Sequence, residues 1–452
     1  MKTLAATVML LMMATGATAQ PVMDYVNAPD PSFRWSVTEV TEQLGTKLAK
    51  LEMVSQTWQG GEWDHPLWIL MPDNVKDTKL ATVFITGGQP DTTYIMLGSQ
   101  LVKESNSIIA VLGGIPKQPL YDGLKEDALI AYTFVQYLDT GDGSWPLLFP
   151  MTKSVVRAMD AIEQYLDREH HHKLKGFVTT GASKRGWTTW FTGTVDDRVI
   201  GMIPIVYDNL NMAAQMDQQR EVYGAYSEQI DDYTEYGLQD RLQSPEGAVL
   251  GSIVDPYTYR QHVTEPVLIL AGANDPYWTL ESAQLYFDDI PGPTSILYAP
   301  NGGHDMGGID VILGRLKPAM VAFLHRLGSG GPWPALDWAC HSTAGRASVT
   351  LKSDIEPSGW GVWVATSDTM DFRPSTWHYY GFEADGTPIK PSADAPELRF
   401  RGAAMTKGGE WIRTVTVQEA DAPYMAVIGE MQWQLQGQTL TLTTVADIVK
   451  QP

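Results

Sequence analysis

Between about residue 50 and residue 328, short apolar runs alternate with segments of helical period, and this alternation restricts the fold more than any other feature of the chain. Ala81 to Thr86, Ser107 to Leu112, Gly176 to Thr180, Val199 to Val206, Pro266 to Ala271 and Thr294 to Tyr298 carry almost no polar residue. Strands without a polar face must be covered on both sides, as in a parallel sheet. Helices predicted over Lys125 to Leu138, Thr152 to Arg168, Lys184 to Thr194, Leu280 to Asp288 and Ile309 to Leu327 supply the cover. Strand–helix alternation of this kind predicts a mostly parallel sheet between two helical layers. Met53 to Trp58 and Leu67 to Met71 read as an antiparallel pair ahead of it.

Two stretches break the alternation. From Asp208 to Pro266 there is no apolar strand, only polar sequence of helical character rich in tyrosine. An insertion there stands above the C-terminal edge of the sheet, where open α/β folds bind ligands, so residues 209–265 are expected to form a helical cap. After Gly328 the run Ser329-Gly330-Gly331-Pro332 reads as a linker. Short β-type segments follow it, which predicts a small all-β sandwich over 335–452 behind an α/β domain over 20–330. Trp360, Trp363, Trp377, Tyr379 and Tyr380 are expected in its core or against the main domain.

Lys2, the apolar run Leu4 to Met13 and Ala17-Thr18-Ala19 have the order of a secretory signal, so residues 1–19 are expected to be removed and the protein to be periplasmic or secreted. No run is long enough to suggest a membrane span. The net charge of −21 argues against nucleic acid as a partner, because phosphate backbones select basic surfaces. Cys340 is the single cysteine, which excludes an intramolecular disulfide.

Chemistry enters at Gly181-Ala182-Ser183. The apolar run before it and the helix after it place Ser183 on a sharp strand-to-helix turn, as α/β-hydrolases place a nucleophile. The second glycine comes one residue late, at Gly186. A serine nucleophile needs a base, and the base needs an acid, in the chain order Ser, Asp, His. Asp275 follows the run ending at Ala271, and His304 follows the run ending at Tyr298, so the order is met. Asp208, after the Val199 to Val206 run, is an alternative acid. The Lys184 backbone N–H is one expected oxyanion donor, with Gly88 or Gln89, after the Ala81 to Thr86 run, as the second. The Lys184 and Arg185 side chains beside the nucleophile point to an anionic substrate group. No residue cluster suggests a metal ion, the chemistry needs no cofactor, and His170-His171-His172 reads as a helix terminus.

The segment Gly181-Ala182-Ser183-Lys184-Arg185-Gly186-Trp187-Thr188-Thr189-Trp190 resembles the signature of the PhoPQ-activated pathogenicity-related family. Ser55-Gln56-Thr57-Trp58, Phe84-Ile85-Thr86-Gly87-Gly88, Glu126-Asp127-Ala128-Leu129-Ile130-Ala131-Tyr132, Trp145-Pro146, Pro150-Met151-Thr152-Lys153 and Pro204-Ile205-Val206 with Asp208 and Asn211-Met212 agree with it. The resemblance implies an exported, α/β-hydrolase-like protein in which the late glycine is normal. The basic residue and late glycine are also similar to the Gly-Cys-Ser-Arg-x-Gly pattern of glucuronoyl esterases, which implies an ester bearing an acidic sugar or another anion. The expected function is therefore a serine hydrolase acting on a small-molecule, glycan or peptide ester. A peptidase, or a catalytically silent binding protein on the same scaffold, is the alternative.

Overall fold

The computed structural model describes residues 21–343, 345–418 and 422–450. The signal sequence read at 1–19 lies outside them. In chain order, α1 (Pro21–Asn27), β1 (Arg34–Gln43), β2 (Thr46–Trp58) and β3 (Gly61–Met71) come first. Then follow β4 (Leu80–Ile85), α2 (Thr92–Ser105), β5 (Ile108–Leu112), α3 (Glu126–Thr140), α4 (Leu148–His170), β6 (Gly176–Ala182), α5 (Lys184–Val195) and β7 (Val199–Ile205). The insertion between β7 and the next strand holds α6 (Met212–Tyr223), α7 (Asp231–Thr234), α8 (Leu238–Arg241), α9 (Pro245–Val254) and a 3-10 turn at Pro256–His262. Strands β8 (Val267–Gly272) and β9 (Thr294–Ala299) complete the central sheet, and α10 (Ile309–Val311) and α11 (Lys317–Ser329) close this part of the chain.

The sheet runs β1-β2-β3-β5-β4-β6-β7-β8-β9, antiparallel as far as β5 and parallel from β5 to β9. From β2 to β9 this is the α/β-hydrolase strand order. Adjacent residues face opposite layers, as the pleat requires. Phe177 packs with α4 and α5 residues such as Met151 and Trp190, while Val178 packs with α11 residues such as Phe323.

Two helices differ from expectation. The Leu280 to Asp288 segment is a pair of 3-10 turns, Ser282–Leu285 and Phe287–Asp289. Between them Tyr286 leaves helical geometry at φ −150°, with its ring fully buried and its hydroxyl bonded to Asp208. Tertiary contact overrides local period there. The last helix contains a π-turn at Ile312–Leu316 immediately before α11. Pro318 has no N–H to continue the ordinary ladder across that point.

The C-terminal strands are β10 (Leu336–Thr343), β11 (Arg346–Ser353), β12 (Gly359–Ser367), β13 (His378–Glu383), β14 (Arg399–Lys407), β15 (Glu410–Gln418), β16 (Tyr424–Leu435), β17 (Gln438–Thr443) and β18 (Asp447–Lys450). A four-stranded antiparallel sheet, β10-β11-β15-β14, shares a buried core with the layer formed by β12, β13 and β16–β18. That second layer joins the central sheet where Thr443 of β17 pairs with Ile296 of β9. Trp360 and Tyr380 are buried in that shared core, whereas Trp377 is buried in the core of the central sheet. Among the described residues no helix is long and apolar enough to cross a membrane.

Candidate active site

Ser183 occupies the turn between β6 and α5 at φ +58° and ψ −128°. A non-glycine residue in that region is strained and persists only when its surroundings impose it. Here the Ser183 N–H donates to the Ile205 carbonyl (2.9 Å), which fastens the turn to the end of β7. The late glycine has a direct cause. A Cβ at Gly186 would lie 2.7 Å from Tyr207 Cβ and 3.0 Å from the Ile205 carbonyl oxygen, because α5 descends onto that strand end. Lys184 begins the helix, so its N–H belongs to the first-turn donors that helices leave without an internal partner.

The two cations after Ser183 turn away from open solvent. Arg185 is buried, donates its Nε–H to the Ile115 carbonyl (2.6 Å), and forks onto both Glu126 oxygens (2.6 and 2.7 Å). Its guanidinium lies where a Cβ of Gly87 would be, so a side chain at residue 87 would displace it. Lys184 Nζ is 2.9 Å from Asp127 and 3.0 Å from Glu126. Burial opposes the Lys184 charge, but the attraction of Asp127 and Glu126 outweighs it and raises the pKa. Burial likewise opposes Glu126 ionisation, and the Arg185 bonds win, bringing Glu126 down to about 2. Two cations and two carboxylates thus balance. The free positive pair expected at the mouth of the site is instead an internally compensated cluster, and Arg185 does not line the cavity described below.

Asp275 and His304 come together on the loops after β8 and β9. His304 Nδ1 is 2.8 Å from Asp275 Oδ2, and Asp275 Oδ1 also accepts from the Tyr277 N–H (2.9 Å). His304 Nε2 is buried without a hydrogen-bond partner, so Ser183 Oγ is not bonded to it. The Tyr277 ring lies 4.2 Å from the imidazole, centroid to centroid. Asp208 is nearby but differently engaged: it accepts from the Tyr286 hydroxyl (2.5 Å). Burial raises the Asp208 pKa to about 7, the Tyr286 bond working against the shift and the Asp275 charge with it. Gly88 and Gln89 are exposed on the loop after β4, and β4 pairs with β6 up to Ile85–Gly181, beside the serine turn.

Ser183 lines a cavity shared with the helices inserted between β7 and β8. The core contributes Phe134 and Trp187, and the cap contributes Met216, Ile230, Leu238 and Leu242. Among the bonds that tie these inserted helices to the helices below are Tyr233 to Asp127 (3.0 Å) and Trp187 Nε1 to the Val254 carbonyl (2.7 Å).

The profile of the PhoPQ-activated pathogenicity-related protein family matches residues 22–373. The chain belongs to this family. A relative, Autocrine proliferation repressor protein A of Dictyostelium discoideum, is 33% identical over 393 residues, covering 81% of this chain and 78% of that protein. Among solved structures, acetyl xylan esterase 1 from Thermoanaerobacterium sp. overlaps 63% of this chain and 86% of its own at 12% identity and a TM-score of 0.45. The S-formylglutathione hydrolase of Agrobacterium tumefaciens overlaps 65% and 100% at 11% identity and a TM-score of 0.45.

In this member of the PhoPQ-activated family, sequence reasoning missed several residues that build the site. Glu126 and Asp127 stood in view as two acids at a helix start, a favourable place for them, and their helix could have suggested a cation partner. Asn274 and Asn301 gave no local signal. Asn274 Nδ2 donates to the carbonyls of Phe372, Arg373 and Ser375, and Asn301 exchanges two bonds with the Trp377 backbone (2.7 and 3.0 Å). The segment from 372 to 377 therefore braces the loops that carry Asp275 and His304.

Proposed function

We propose that this protein is an exported serine hydrolase cleaving a carboxylic ester. Ser183 Oγ attacks the carbonyl carbon and passes its proton to His304 Nε2, while Asp275 holds the Nδ1–H and stabilises the imidazolium. The oxyanion meets the Lys184 N–H and an N–H from Gly88 or Gln89. His304 returns the proton to the leaving alcohol, and water, activated by the same nitrogen, releases the acid and regenerates Ser183. The observation that carries this reading is the His304–Asp275 bond with Nε2 buried and unpaired. The open Ser183–His304 gap is compatible with it, since catalytic hydrogen bonds often tighten only with substrate bound. Export rests on the leader sequence alone.

A fluorophosphonate probe should label the wild-type protein at Ser183 and leave Ser183→Ala unlabelled, and short p-nitrophenyl esters should be turned over. Folded protein that neither labels nor turns over esters defeats the proposal. The gap, with the Tyr277 ring packed at a tilt against His304, is also what a silent binding protein would show. That second reading expects no labelling but retained ligand binding. Cleavage of peptides in preference to esters would make the protein a peptidase.

A further inference from the structure

The chamber under the cap is walled largely by apolar side chains, yet three polar atoms of its lining, Asn209 Oδ1, Trp278 Nε1 and the Tyr207 hydroxyl, have no hydrogen-bond partner. Asn209 is 4% exposed and its Oδ1 has no partner; Trp278 Nε1 is equally without one. Both residues line the cavity with Ser183. Buried polar atoms are almost always satisfied, so an unpaired acceptor and an unpaired donor in the lining of one cavity call for a ligand that supplies both complements. Charge is not what the chamber offers. Lys184, its lining cation, is neutralised by Asp127 and Glu126, so an anionic group entering here would find no free counter-ion among the described residues.

We infer that the chamber takes an uncharged, largely apolar group of the substrate carrying one neutral hydrogen-bonding function, which accepts from Trp278 and donates to Asn209. This deepens the hydrolase proposal and rests on it for the position of the scissile bond. It replaces the acidic-sugar ester suggested by Lys184 and Arg185 with a neutral apolar ester.

The test is equilibrium binding to the Ser183→Ala protein, which separates recognition from chemistry. Hexanamide, with a tail and a neutral donor–acceptor head, should bind about tenfold or more tighter than acetamide, which lacks the apolar tail. It should also bind about tenfold or more tighter than hexanoate, whose charge must be desolvated without a partner. Asn209→Ala should weaken hexanamide severalfold, and so should Leu238→Trp, which fills the chamber. If Leu238→Trp does not melt as a folded protein, Met216→Trp takes its place, and the ligand ranking on Ser183→Ala stands without either. No saturable hexanamide binding, hexanoate binding the tighter, or acetamide binding equally well overturns the inference. Wild-type labelling by fluorophosphonate reports separately on the hydrolase proposal. Labelling with a reversed ligand ranking removes only the chamber assignment, and the expected ranking without labelling removes only the chemistry.

Discussion

Two charged clusters stand near Ser183, and they differ in whether a valence is left over. In the first, Lys184 and Arg185 face Glu126 and Asp127, and both cations are bound within the protein. In the second, Asp275 engages one nitrogen of His304 and leaves the other buried and free. The first cluster is closed and acts on geometry: it seats the start of α5, the Gly87 loop and Ile115 around one guanidinium. The second is open and can accept a proton. Charge close to a candidate nucleophile is thus no guide to reactivity until its partners are counted.

Removing the open cluster should cause the largest change. Ser183→Ala or His304→Ala is expected to lower kcat/KM by about 10⁴-fold or more, and Asp275→Asn by about 10⁴-fold, through loss of the correct tautomer. Ester turnover read beside melting curves separates this from misfolding. Next comes the brace on that cluster. Asn274→Ala frees the loop of Asp275 from the 372–377 segment, and a misplacement of about 1 Å should cost ten- to a hundredfold in kcat. An unchanged kcat would show that the C-terminal layer does not position the acid–base pair.

Disrupting the closed cluster should act on stability instead. Arg185→Met leaves Glu126 without its fork. Breaking a buried pair commonly costs about 3–5 kcal/mol. Glu126 is 39% exposed and can be rehydrated, so about 2 kcal/mol is expected in denaturant unfolding. Fluorophosphonate labelling of the folded fraction should persist. Lost labelling at unchanged stability would move Arg185 into the chemistry and erase the contrast between the clusters.

The sequence made the open cluster legible because Ser183, Asp275 and His304 each follow an apolar run, and strand ends are readable from composition. The central sheet was legible for the same reason, down to the antiparallel pair before it. The closed cluster was half legible. Lys184 and Arg185 could be seen, but their acids lie 57 to 59 residues earlier on another helix, and no local pattern encodes that pairing. The Leu280 to Asp288 helix failed because its period is real but Tyr286 is claimed by Asp208. The link from β17 to β9 spans nearly the whole C-terminal region and leaves no trace in either strand.

Asp208 offers the smallest effect and the finest test, because it lies beside the open cluster yet has a partner of its own. Its carboxyl sits in the folded protein with a pKa near 7 against 3.8 ordinarily, raised by burial first and further by the Asp275 charge. Folded protein therefore holds a proton at Asp208 that the unfolded chain has lost between those values. The resulting stabilisation is complete below about pH 4 and disappears as pH rises through about 7. Asp208→Asn keeps an acceptor for Tyr286 and cannot ionise. Its stability relative to wild type should therefore rise between pH 4 and pH 8, while ester turnover at neutral pH changes only a few-fold. Chemical denaturation at both pH values, with kcat/KM beside it, reads both expectations. If Asp208→Asn instead loses activity as severely as Asp275→Asn, the two carboxylates work as one unit on His304, and the open cluster must be redrawn to include both.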